Sequence, residues 1–330
     1  MARRLIEIES VTGNEERICG FIPGVLEDCG FRVSLQEVSG RRTNVFATVD
    51  PPRVVLTTHM DTVSPYVPFS EDDVYLYGRG ACDAKGILAA MVEAGRSLVG
   101  EGVRDVGLLF LVGEERGSDG AKAANRMDPH SVFLINGEPT ENRLALGSKG
   151  AIRFEIRTRG RSAHSACAER GDNAIDKLLD ILQDLRRMPP ACDDTLGPSA
   201  LNIGILRGGG LANVVPDQAS AEMILRLVRG VEETRKTLEA AIRNRGEMVV
   251  HFECDPVRLE TLPGFETTVV SFTTDIPLLS RWGKPYLLGP GSISDAHTAE
   301  ERISKKQLLD SVRLYRRMAL ELLTRDKSSS

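Results

Sequence analysis

His59, Asp61, Asp83, Glu114, Glu115, Glu138 and His297 pair ionisable or ligating side chains with positions that suggest a shared role. Apolar runs at 54–58, 108–113 and 132–137 lead directly into His59, Glu114 and Glu138. Runs of that length and composition read as buried parallel strands. In open α/β sheets, ligands bind in the crevice outside the carboxyl ends of the strands. Three strands are therefore expected to bring carboxylates and an imidazole to one edge of one sheet. Carboxylate oxygens together with imidazole nitrogens form a donor set suited to a pair of divalent cations.

Each position has its own argument. His59 and Asp61 stand two apart in an extended segment, so they share a side. A ligating imidazole usually gives its second ring proton to an oxygen, and Asp61 is expected to orient His59 in that way. Asp83 lies in the glycine-rich stretch 78–86, which opens a helix. A dinucleotide fingerprint needs glycine at that position, and a phosphate-binding loop needs Gly-Lys-Ser/Thr. Asp83 would repel a pyrophosphate but suits a bridge between two cations. Glu114 and Glu115 follow a strand and are expected to point apart, one to a metal and one to a proton on water. Taken singly, each of these residues also reads as a solvated turn. Their coincidence at strand ends and glycine turns carries the argument.

Composition bounds the rest. At 330 residues, two domains are the default. A net charge of −5 argues against a nucleic-acid partner. No apolar stretch is long enough to span a bilayer. The six cysteines form no C-x-x-C pair, which points away from a thiolate zinc site and towards a reducing, cytoplasmic compartment. The first residues read as the end of a helix without a signal-peptide core, so the chain is expected to start slightly late.

Periodicity places a helix up to about residue 29, strands at 31–38, 44–49 and 53–58, and a helix at 85–99. A strand at 106–112, a helix near 118–126 and a strand at 132–135 follow, giving an α/β fold with a mixed sheet covered by helices. From 151 the order becomes βαββαβ, a ferredoxin-like insert. A helix near 265–272, a strand at 285–288 and a last helix at 303–323 would return to the first domain. The expected division is 1–148 and 257–330 for the catalytic domain and 149–256 for the insert. The tail 327–330 is expected to be disordered.

At these residues the chain resembles the co-catalytic zinc metallohydrolases that include acetylornithine deacetylase, succinyl-diaminopimelate desuccinylase, aminoacylase and carboxypeptidase G. The matching stretches are 59–63, 78–86, 113–118, 137–140, 160–165, 213–216 and 296–298. The resemblance implies two Zn2+ ions, with Co2+ or Mn2+ as substitutes, bridged by Asp83. His59 and Glu138 complete one site, Glu115 and His297 the other, and Glu114 is the general base and acid. It also implies a cis Asp83–Ala84 peptide and a homodimer formed through the insert. His164 would stabilise the oxyanion in the partner's active site, and Asn213 and Arg226 would bind substrate. Glu138, in place of aspartate, is similar to the deacylase and carboxypeptidase branch. The ending 296–301 resembles acetylornithine and acetyl-lysine deacetylases most. The expected reaction is therefore hydrolysis of a small N-acyl amino acid, with a dipeptidase or glutamate-type carboxypeptidase as the alternative. The rival from another class is an inactive binding protein on this fold. Retention of every ligand together with Glu114 speaks against it.

Overall fold

The structure, a computed structural model, describes residues 1–327, so the expectation for the tail falls almost entirely outside the described residues. In chain order the elements that matter are α1 (Ala2–Ile6), α2 (Glu16–Asp28), β1 (Arg32–Ser39), β2 (Arg42–Thr48), β3 (Val54–His59), β4 (Tyr75–Tyr77) and α3 (Lys85–Gly100). Next come β5 (Val106–Leu111), α4 (Asp119–Ala124), β6 (Phe133–Asn136), β7 (Gly150–Arg159), α5 (Ala174–Arg187), β8 (Ala200–Gly208), β9 (Gln218–Leu227), α6 (Val231–Ile242) and β10 (Glu247–Cys254). The chain closes with β11 (Lys284–Leu287), β12 (Arg302–Ser304) and α7 (Lys305–Lys327). No described helix is long and apolar enough to cross a membrane.

The chain divides into two compact units: residues 1–146, 259–268 and 274–330, and residues 147–258 with 269–273. The first holds a six-stranded sheet in the order β1-β2-β5-β3-β6-β11. β3, β5, β6 and β11 run parallel, while β1 and β2 form an antiparallel hairpin at the edge. Every residue of β3, β5 and β6 is buried, as continuous apolar runs demand when both faces are covered. Alternation sorts their side chains. Val54, Leu56, Leu108, Phe110 and Ile135 pack into the core that includes Ile87, Leu88 and Met91 of α3 and Tyr315, Met318 and Leu322 of α7. Val55, Leu109, Leu111 and Leu134 face the other way, into a smaller core with Ala121, Ala124, Leu279 and Trp282. Because β3, β5 and β6 are parallel, their carboxyl ends share one edge.

The second unit is a four-stranded antiparallel sheet in the order β8-β9-β7-β10, the ferredoxin-like arrangement. Ile152, Phe154 and Ile156 of β7 pack on Leu178, Ile181 and Leu182 of α5 and on Leu238 and Ile242 of α6. Asn173 caps α5, its Oδ1 accepting the N–H of Ile175 at 2.9 Å.

One expected element is wrong. The helix near 265–272 is instead a strand, Thr267–Val270. Phe265, Val269 and Val270 imitate a helical stripe, but Thr267, Thr268, Val269 and Val270 are all β-branched and favour extended backbone. Glu114 and Glu115 also depart from expectation. They lie in a 3-10 turn, Glu114–Arg116, that begins immediately after β5 and Gly113. Gly113 has φ +76°, and a Cβ there would stand 1.8 Å from Asp119 Oδ1, so glycine is required for the turn.

Candidate metal centre

The carboxyl ends of β3, β5 and β6 deliver His59, the Glu114–Glu115 turn and Glu138 to one place. Asp83 arrives from the loop before α3, and His297 from the loop before β12. The Asp83–Ala84 peptide is cis. One carboxylate oxygen of Asp83 lies 2.9 Å from His59 Nε2 and the other 3.2 Å from His297 Nε2. His297 Nε2 also meets Glu115 Oε1 at 2.8 Å, and Glu138 Oε2 stands 4.0 Å from His59 Nε2. One ligand atom each from His59, Asp83 and Glu115 falls within a single 4.8 Å cluster. Two ligands about 2.1 Å from a tetrahedral ion would stand about 3.4 Å apart, so these separations have the scale of a cation site.

The electrostatics have the same sense. Burial pushes Glu114 and Glu138 well above the usual carboxylate range and Glu115 upward, and neighbouring carboxylates add to it. Burial would lower the pKa of His59, but Asp61, Asp83 and Glu138 outweigh it and hold the imidazole well above its usual value. Asp83 and Glu115 raise His297 to about 10. For Asp83, burial raises the pKa, but contacts with His297 and His59 overcome that and pull it down. The cluster thus concentrates carboxylates around two imidazoles, an excess of negative charge that two divalent cations would neutralise. The donor set fits such a pair.

Asp61 does more than the sequence suggested. His59 Nδ1 lies 3.0 Å from the Asp61 main-chain carbonyl and 3.4 Å from the nearer carboxylate oxygen. The Asp61 carboxylate instead accepts the N–H groups of Glu114 at 3.0 Å and Glu115 at 3.2 Å, and the Thr12 hydroxyl at 2.7 Å. It therefore holds the acidic turn beside His59. Sequence reasoning missed Thr12 in this role, because it is linked to the site across 49 positions. It also missed Asp275, whose buried carboxyl is pushed up to about 6 and whose charge bears on Glu114 and Glu138. Cys82, beside Asp83, is a packed residue. It is buried, with its Sγ donating to the Ser292 carbonyl at 3.3 Å, and burial raises its thiol pKa well above the usual value.

His164, Asn213 and Arg226 belong to the second unit. His164 pairs with Val214 in an isolated bridge, and the Asn213 carbonyl accepts the Ser165 N–H at 3.0 Å. His164 Nδ1 accepts the Ala166 N–H at 3.1 Å, which leaves the ring proton of a neutral imidazole on Nε2 as a donor. Arg226 lies on β9 opposite Ala200 and Ala151, half-buried and without an ion-pair partner among the described residues. Burial lowers its pKa.

The chain matches the profile of peptidase family M20/M25/M40 over residues 55–321. It is 39% identical to an M20 peptidase domain-containing protein of Schizosaccharomyces pombe, covering 96% of this chain and 83% of that one. It is 36% identical to a probable carboxypeptidase of Aspergillus clavatus, covering 99% and 82% respectively. Its fold is similar to that of a dinuclear metal-binding M20 peptidase of Bacillus subtilis, with a TM-score of 0.70 at 16% identity over 98% of this chain and 97% of the other. The chain therefore belongs to peptidase family M20/M25/M40 and is a metal-dependent hydrolase.

Proposed function

We propose that this enzyme hydrolyses the amide between an acyl group and the nitrogen of an amino acid whose own carboxylate is free, with N-acetylornithine or N-acetyl-lysine type compounds as substrates. The observation that carries this reading is Asp83, which offers one oxygen to each of two imidazoles beside a separate carboxylate, Glu114. Two divalent ions, zinc in our reading, would be held by His59 and Glu138 on one side and by Glu115 and His297 on the other, with Asp83 shared. When bound, they supply Lewis-acid polarisation of the scissile carbonyl and lower the pKa of water.

The chain's own residues then divide the work. Glu115 is engaged with His297, whereas the Glu114 side chain has no hydrogen bond or ion pair among the described residues. That leaves Glu114 as the base that takes a proton from the attacking water and returns it to the leaving nitrogen. Asp61 keeps Glu114 in place through the main chain. His164, with its proton on Nε2, is a donor suited to the oxyanion, and acts across a homodimer built on the second unit. Arg226 is a half-buried cation awaiting an anion, and we assign it to the substrate carboxylate, with Asn213 as a further substrate contact.

The probable carboxypeptidase among the relatives favours a second reading, release of a C-terminal residue from a peptide. Both substrates contain the same scissile unit and differ only in the size of the acyl side. Assays of the metal-reconstituted enzyme on N-acetylornithine, N-acetyl-lysine, N-succinyl-diaminopimelate and dipeptides decide between them. Preference for dipeptides overturns the first reading, and no turnover of any of them overturns both.

Two variants test the second unit. Arg226→Met is expected to lower kcat/KM by about 10- to 100-fold, mostly through KM, as loss of a charge-assisted bond would. An unchanged KM removes Arg226 from the substrate site. His164→Ala is expected to lower kcat with metal content intact. Mixing it with Glu114→Gln should restore some activity through hybrid dimers that contain one intact site, and no recovery argues against action across the dimer.

A further inference from the structure

Glu301 has no part in the chemistry above, yet it is fully buried and surrounded by the loop that carries Asp83. Its Oε1 accepts three main-chain N–H groups, from Gly80 at 3.0 Å, Cys82 at 3.1 Å and Asp83 at 3.0 Å. Its Oε2 accepts Arg79 Nη1 at 2.6 Å, and its carbonyl accepts the Gly78 N–H at 3.0 Å. Arg79 is itself only 2% exposed and donates Nε to the Pro65 carbonyl at 3.0 Å. Successive N–H groups that converge on one point form a nest for an anion. Here the anion is a side chain 218 positions further along the chain. Glu301 also follows His297 by four residues and directly precedes β12, which pairs with β4 just before the Asp83 loop. One residue thus ties the segment carrying Asp83 to the segment carrying His297.

The geometry points to Glu301 as the positioning residue of the two-cation centre: its carboxylate holds the 78–83 loop so that Asp83 presents one oxygen to each imidazole before any ion arrives. The inference rests on the reading of Asp83 as the shared ligand. Its physical reason is entropy. A loop containing Gly78 and Gly80 is costly to order, and a loop ordered beforehand by charge-assisted hydrogen bonds spares the incoming ions that cost. Loss of Glu301 should therefore appear in metal affinity, beyond any effect on folding.

Glu301→Gln keeps an acceptor for the three N–H groups but sets an amide against the Arg79 guanidinium. Zinc titration of the metal-free variant against a competing chelator is expected to show at least one site weakened by about 10- to 100-fold. kcat at limiting zinc should fall while KM is kept, and excess zinc should restore it. Wild-type zinc affinity in the folded variant, even with a lowered Tm, overturns the proposal, since a purely structural role would do only that. Hydrogen exchange on the unmodified protein supplies a test that no folding failure can spoil. The Gly80, Cys82 and Asp83 amides should stay protected after the metals are chelated, and loss of their protection on chelation overturns the proposal. Asp83→Asn, titrated alongside, separates the two ideas. If it loses zinc while Glu301→Gln keeps it, only the positioning role falls. If both keep it, the shared-ligand reading falls and takes this one with it.

Discussion

Glu114→Gln is expected to lower kcat by about a thousand-fold or more while the protein still binds two metal ions per chain. General-base catalysis is typically worth about 10²- to 10⁴-fold, and a thousand-fold loss corresponds to about 4 kcal/mol. The prediction is specific because this site separates the base from its support. Glu114 is held by its main-chain N–H on Asp61, so glutamine can occupy the same turn without disturbing it. The ligand assigned to the metal is its neighbour Glu115, engaged with His297 at 2.8 Å. Metal analysis together with steady-state kinetics checks the result. Wild-type turnover in this variant would remove Glu114 as the base. Loss of metal with loss of turnover would instead make it a ligand.

Asp83→Asn is expected to reduce metal content to one ion per chain or less and to lower kcat/KM by more than about a thousand-fold. An asparagine keeps the shape and one acceptor oxygen, but it cannot offer a negatively charged oxygen to both His59 and His297, which now stand 2.9 and 3.2 Å from the two carboxylate oxygens. Losing several kcal/mol of Lewis-acid stabilisation accounts for at least that fall in rate. The Asp83 N–H still reaches Glu301 in the variant, so the loop itself should survive. Two tightly bound metal ions and near-normal activity would overturn the shared-ligand role. A fall in activity with full metal content would place Asp83 in the reaction but not at the bridge.

The strands β3, β5 and β6 were legible because a strand buried on both faces must be apolar throughout, and a residue that breaks such a run marks its end. At Thr267–Val270 aromatic and aliphatic spacing imitates a helical stripe, but four consecutive β-branched residues form a strand. The alternation expected of Glu114 and Glu115 from the strand before them does not hold, because Gly113 in the left-handed region turns the chain into a 3-10 turn at Glu114–Arg116. His164, Asn213 and Arg226 carried no signal of their own beyond the family resemblance. A lone loop histidine or a strand arginine has the same local sequence whether it meets solvent or a substrate.

The chemistry available was already plain in the order of residues: the types of the donors, their places at the ends of apolar runs, and a glycine-rich loop with a carboxylate where a phosphate site would need glycine. Those are local properties, set by strand periodicity and by the backbone freedom of glycine. How the donors divide emerges from long-range packing alone. That packing put the two oxygens of Asp83 against different imidazoles, gave Asp61 the turn of Glu114 and Glu115 to hold, and brought Glu301 back across 218 positions to the Asp83 loop. Contacts between residues so far apart in the chain depend on which elements pack side by side, and no local pattern records that.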